Sequence, residues 1–85
     1  MYRYEDEKPK LFTEEGQVVF LKIRDQVKSL LSKAGAVRMQ EAISDVSGTT
    51  WLMLACVDRL EELGEIREIT ANNVPGQFRV FVEDF

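Results

Sequence analysis

Between Thr13 and Gly35 the apolar residues recur at the spacing of an α-helix, and this stripe constrains the fold more than any other feature of the chain. At about 100° per residue, Val19, Phe20, Ile23, Val27, Leu30, Leu31 and Ala34 fall on one broad face. Thr13 supplies an N-cap hydroxyl. Glu14 and Glu15 occupy the first turn, where the helix dipole favours carboxylates, and Gly35 offers a left-handed stop. Such a helix must lie against a second apolar surface. In 85 residues there is material for one domain and one core.

The remaining segments supply that surface. Met1 to Lys10 is polar, mixed in charge and broken by Pro9, so the sequence predicts a loosely ordered arm over 1–10 and a folded domain over 11–85. Leu11 and Phe12 are the first apolar anchors. Val37-Arg38-Met39 suits a very short strand, and Gln40 to Val46 a short second helix with Ala42, Ile43 and Val46 turned inward. Ser47-Gly48-Thr49-Thr50 is a turn in which either Ser47 or Thr49 could cap the next helix. That third helix spans about Thr50 to Leu63 and stops at Gly64. Beyond it the period changes. Glu65 to Thr70 and Phe78 to Glu83 are rich in Ile, Val and Phe and suit paired strands. The turn vocabulary between them, Ala71 to Gln77, fits a type II turn centred on Pro75-Gly76.

Two helices joined by a short glycine-containing turn, followed by a terminal hairpin, form a helix-turn-helix with a wing. With Val57-Asp58-Arg59-Leu60-Glu61-Glu62-Leu63-Gly64-Glu65-Ile66 as the end of the third helix and the entry to the wing, the chain resembles the winged-helix superfamily. More loosely, it resembles the MarR-like and ArsR-like bacterial regulators. The resemblance implies an α+β fold: a three-helix helix-turn-helix core, a small antiparallel sheet and a C-terminal β-hairpin wing. It also implies a small transcriptional regulator whose third helix enters the major groove of duplex DNA while the wing meets the neighbouring backbone.

Such docking needs cationic and hydrogen-bonding side chains pointing outward. On a helical wheel Met53, Cys56, Val57 and Leu60 of the third helix face the core. Trp51, Ala55, Asp58 and Glu62 face out, with Leu52 and Arg59 on one flank and Leu54 and Glu61 on the other. The candidate nucleic-acid contacts are Arg38, Thr49, Thr50, Trp51, Arg59, Arg67 and Arg79, with Asn72 and Asn73 at the wing tip. Three carboxylates on this helix and a net charge of −4 run against a phosphate partner. The alternative is a protein-interaction module on the same scaffold, presenting Trp51 with Leu52, Leu54 and Ala55. On that reading the arginines are ordinary surface charges.

Val18 and Leu21 lie off the core stripe of the first long helix. With Leu11, Phe12 and Phe85 they could form a homodimer seam, or the chain termini could cover them. Cys56 reads as a small buried hydrophobe, and Glu61, Glu62, Glu65 and Glu68 as a solvated acidic face. The chain has no histidine, and no phosphate-binding loop, metal-spaced cysteine set or nucleophile elbow. An enzyme, a metal site and a cofactor are therefore not expected. A single cysteine, no apolar leader and no long apolar run lead to the expectation of a cytoplasmic protein without a membrane span.

Overall fold

The computed structural model describes residues 1–44, 46, 48–69 and 79–84. The predicted first long helix is α2, Glu14–Ala34, following a one-turn α1 at Tyr4–Glu7 and a 3-10 turn at Lys8–Phe12. After α2 come β1 (Val37–Arg38), α3 (Met39–Ala42), α4 (Thr50–Glu62), β2 (Ile66–Glu68) and β3 (Val80–Glu83). The class is α+β: helices packed with a small antiparallel sheet whose strand order is β1-β3-β2.

The caps of α2 are those its sequence demands. The Gly16 N–H donates to the Thr13 hydroxyl at 3.0 Å, and Gly35 adopts φ 78°, a conformation costly for any residue with a Cβ. Val19, Ile23, Val27 and Leu31 are buried, while Phe20 and Leu30 are half-buried and Ala34 is exposed at the frayed end of the stripe. They pack on α4, whose Met53, Cys56, Val57 and Leu60 are buried as the wheel requires. Of the two possible caps for α4, Thr49 accepts from the Leu52 N–H at 3.4 Å. Ser47 lies outside the described residues.

The second helix is shorter than its pattern suggested. The Ser44 hydroxyl donates to the Glu41 carbonyl at 2.9 Å, and the Ser44 N–H bonds the same carbonyl rather than continuing the ladder. In the sheet, Val37 pairs with Phe81 and Arg38 with Val80 on one side. On the other side Ile66, Arg67 and Glu68 pair with Glu83, Val82 and Phe81. Phe81, fully buried at the centre, joins the sheet to the helical core. The expected turn at Val74 to Gln77 falls outside the described residues.

The N-terminus corrects the expectation of a loosely ordered arm. Its residues fold into α1 and the 3-10 turn, which pack against α2 and α4. Pro9 sits in the first turn of the 3-10 segment, where a missing N–H costs nothing. The turn is fixed to α2 by backbone-directed bonds: the Thr13 hydroxyl donates to the Lys10 carbonyl and the Gln17 amide to that of Leu11, both at 2.7 Å. Leu11 is thereby buried, whereas Phe12 stays exposed.

Gly16 permits this crossing. A Cβ at that position would stand 1.9 Å from the Lys10 carbonyl oxygen and 2.9 Å from the Leu11 Cα, both rigid backbone atoms. Gly16→Ala is expected to destabilise the protein by about 2–3 kcal/mol in urea denaturation, as overpacking against backbone does. Val18→Ala, two residues on at an exposed position, should change stability by no more than about 0.5 kcal/mol.

Candidate functional site

The outward face of α4 is where the sequence placed its candidate contacts, and most of that face is already occupied. Residues alternate across a strand, so Arg79, just before β3, points to the same side as the buried Phe81. Its guanidinium lies 5.1 Å from the Phe81 ring centre and donates to Asp58 Oδ1 and Glu68 Oε1, each at 2.9 Å. Glu61 approaches it at 3.6 Å. Burial alone lowers the pKa of this guanidinium, but its hydrogen bonds to Glu68 and Asp58 outweigh that and raise it, so Arg79 remains charged. Its side chain is 19% exposed and that of Asp58 11%. Arg79 therefore holds the sheet to α4, and its charge is spent there.

The N-terminal segment takes up the other acceptors. Tyr2 donates its hydroxyl to Asp58 Oδ2 at 2.6 Å, and Tyr4 donates to Glu62 Oε1 at 2.8 Å. Lys8 binds the second oxygen of Glu62 at 2.9 Å. Arg59 pairs with Glu62 at 2.6 Å, and its guanidinium stands 5.4 Å from the Phe12 ring centre. Three donors hold the Glu62 carboxyl down to about 2, the hydrogen bond from Lys8 first among them. Glu61 accepts from the Glu68 N–H at 3.0 Å, and Glu65 is paired with Arg24. The acidic face is thus partly solvated, as expected, but its carboxylates are engaged in ion pairs and hydrogen bonds within the chain.

The outward wheel positions need the same correction. Ala55 is fully buried and Leu52 nearly so, because α1 and the 3-10 turn pack along a helix that the wheel had left bare on that side. Trp51 does lie at the surface, 45% exposed, beside an exposed Thr50, while the Thr49 hydroxyl is used as the cap. Arg38 and Arg67 are exposed and form no ion pair among the described residues. They flank Val80 and Val82, their cross-strand partners, on the outer face of the sheet. Asn72 and Asn73 lie outside the described residues. The candidates therefore divide into locked arginines (Arg59, Arg79), two open ones on the sheet (Arg38, Arg67) and an open helix start (Thr50, Trp51).

Cys56 is fully buried, and burial pushes its thiol up to about 12. Among the described residues no group of His, Cys, Asp and Glu could hold a metal ion. No described helix is long and apolar enough to cross a membrane. Comparison with protein-family models, with curated proteins and with solved structures finds no match to this chain.

Sequence reasoning missed Tyr2, Tyr4 and Lys8 as partners of α4. Nothing in a non-periodic, mixed-charge segment marks a docking side. The inward aim of Arg79 was legible in principle, because it sits two residues before Phe81.

Two predictions follow from this network. Tyr2 and Tyr4 are the only tyrosines. Burial and then the hydrogen bonds to Asp58 and Glu62 raise both phenols, that of Tyr4 to about 12. An unfolded tyrosine ionises near 10, so the stabilisation from docking is complete below pH ~10 and disappears as pH rises through the folded value. Absorbance at the phenolate band should stay flat through pH ~10 and rise only above it; a midpoint near 10 would mean an undocked segment. In the second test, Arg79→Ala leaves Asp58, Glu61 and Glu68 clustered without their cation. A loss of about 2–3 kcal/mol is expected in thermal or urea unfolding.

Proposed function

We propose that this chain is a protein-interaction module on a winged-helix scaffold, with Trp51 as its anchor. The order helix, strand, helix, helix, strand, strand and the sheet order β1-β3-β2 support the winged-helix reading. The observation that carries the function is the occupied outer face of α4. Arg59 and Arg79 are neutralised by carboxylates of the same chain, and Tyr2, Tyr4 and Lys8 lie where a phosphate backbone would have to approach. Trp51 stands at the open end of that helix, with half-buried Leu54 one turn further on. A large aromatic left half out of water is the kind of residue on which interface energy concentrates.

A second reading, duplex DNA binding by a small regulator, is favoured by one observation. Arg38 and Arg67 project from one face of the sheet without an ion-pair partner among the described residues.

The two readings separate cleanly in fluorescence anisotropy with a labelled mixed-sequence duplex at low salt. The interaction module shows no saturable binding at tens of micromolar protein. Binding that weakens with salt and drops in Arg38→Ala or Arg67→Ala would replace it with the DNA reading. On the proposed reading, Trp51→Ala abolishes retention of the partners captured by the wild-type protein while its melting temperature stays within about 2 °C. A much larger drop would make Trp51 a structural residue.

A further inference from the structure

The outer face of α2 carries a second exposed apolar set, distinct from Trp51. Val18 is 50% exposed, Leu21 52% and Phe12, just before the helix, 58%. A hollow of about 220 Å³ opens beside them between Phe12, Phe20 and Leu63. Leu11, expected to share this seam, is instead in the core, and Phe85 lies outside the described residues.

The charges on the same face follow a pattern. Glu14, Leu21 and Lys28 are one heptad apart and so form a single stripe, drifting only about 20° per step. Glu14 is exposed and makes no ion pair among the described residues. Lys28 approaches Glu65 at 3.5 Å, but Arg24 already holds that carboxylate at 3.2 Å. Along the stripe Glu14 is negative, Leu21 apolar and Lys28 positive; exposed Asp25, one turn after Leu21, lies about 40° to its side.

We propose that this face binds a second copy of the chain, with the two α2 helices antiparallel about a two-fold axis at Leu21. The axis sets Leu21 against the partner's Leu21, and it sets Glu14 against the partner's Lys28 at both ends of the seam. A parallel arrangement would oppose like charges at each end, so the stripe is complementary to itself only in the antiparallel sense. A contact confined to one helix face and Phe12 belongs with the small, weak interfaces below the ~1,200 Å² of a standard one. The dimer is therefore concentration-dependent, with dissociation in the range of roughly 10–500 μM.

Sedimentation equilibrium of the full chain across that range tests the proposal. The wild-type protein should move from monomer to dimer, and Leu21→Glu should remain monomeric with an unchanged melting temperature. Glu14→Lys and Lys28→Glu should each weaken the dimer at least about fivefold, by replacing two attractive contacts with two repulsive ones. The double variant E14K/K28E should recover wild-type affinity. Residues 14 and 28 are too far apart on one helix to compensate within a chain, so recovery reports the contact between subunits. A wild-type monomer throughout the range would overturn the proposal and leave the face to a different partner. A dimer indifferent to Leu21→Glu, or a double variant as weak as the singles, would also overturn it.

Discussion

Asp58 receives hydrogen bonds from both ends of the sequence, and much of the structure depends on that meeting. One carboxylate oxygen accepts from Tyr2 and the other from Arg79. A carboxylate so nearly withdrawn from water is tolerable only when its acceptors are filled, and a guanidinium beneath a sheet only when its charge is matched. The two needs are met together. Arg79 continues to Glu68 and Glu61, so a polar layer runs from the N-terminal segment through α4 to the strands. It lies against the apolar core of α2 and α4, and it fixes how sheet and helices sit relative to each other.

That layer changes what the composition means. An excess of acid over base led to the expectation of an acidic, solvent-facing third helix. The carboxylates are there, but their work is internal: Asp58, Glu61 and Glu62 are matched by Arg79, Arg59, Lys8 and two tyrosines. Arg59, Arg79 and the candidate obstacles to DNA binding therefore cancel one another within the same chain, while Arg38 and Arg67 stay open on the sheet. The exposed apolar residues lie elsewhere, at Trp51 and, along α2, at Val18 and Leu21.

Much of the framework was legible in the sequence. Local signals were strong for α2, with its capping threonine, apolar stripe and closing glycine, and for the core positions of α4. The change of period after Gly64 marked the strands that form β2 and β3. Reading failed where the deciding partner was remote in sequence. Ala55 looks outward on a wheel because a wheel contains one helix, and Met1 to Lys10 looks disordered because its order is supplied from elsewhere. The shortened α3 is a local case instead: one Ser44 hydroxyl bond to Glu41 ends a pattern that hydrophobicity alone would continue.

The docked N-terminus also implies an order of events during synthesis. Tyr2 and Tyr4 bond residues 56 and 58 positions further along the chain. No contact between them can form until Asp58 and Glu62 have left the ribosome. Residues made before α2 and α4 are thus among the last to find their places, and closing so long a loop is a slow step relative to forming α2. Until then a nascent α4 presents bare carboxylates and an uncovered Ala55, a short-lived acidic and sticky surface that the finished protein no longer displays.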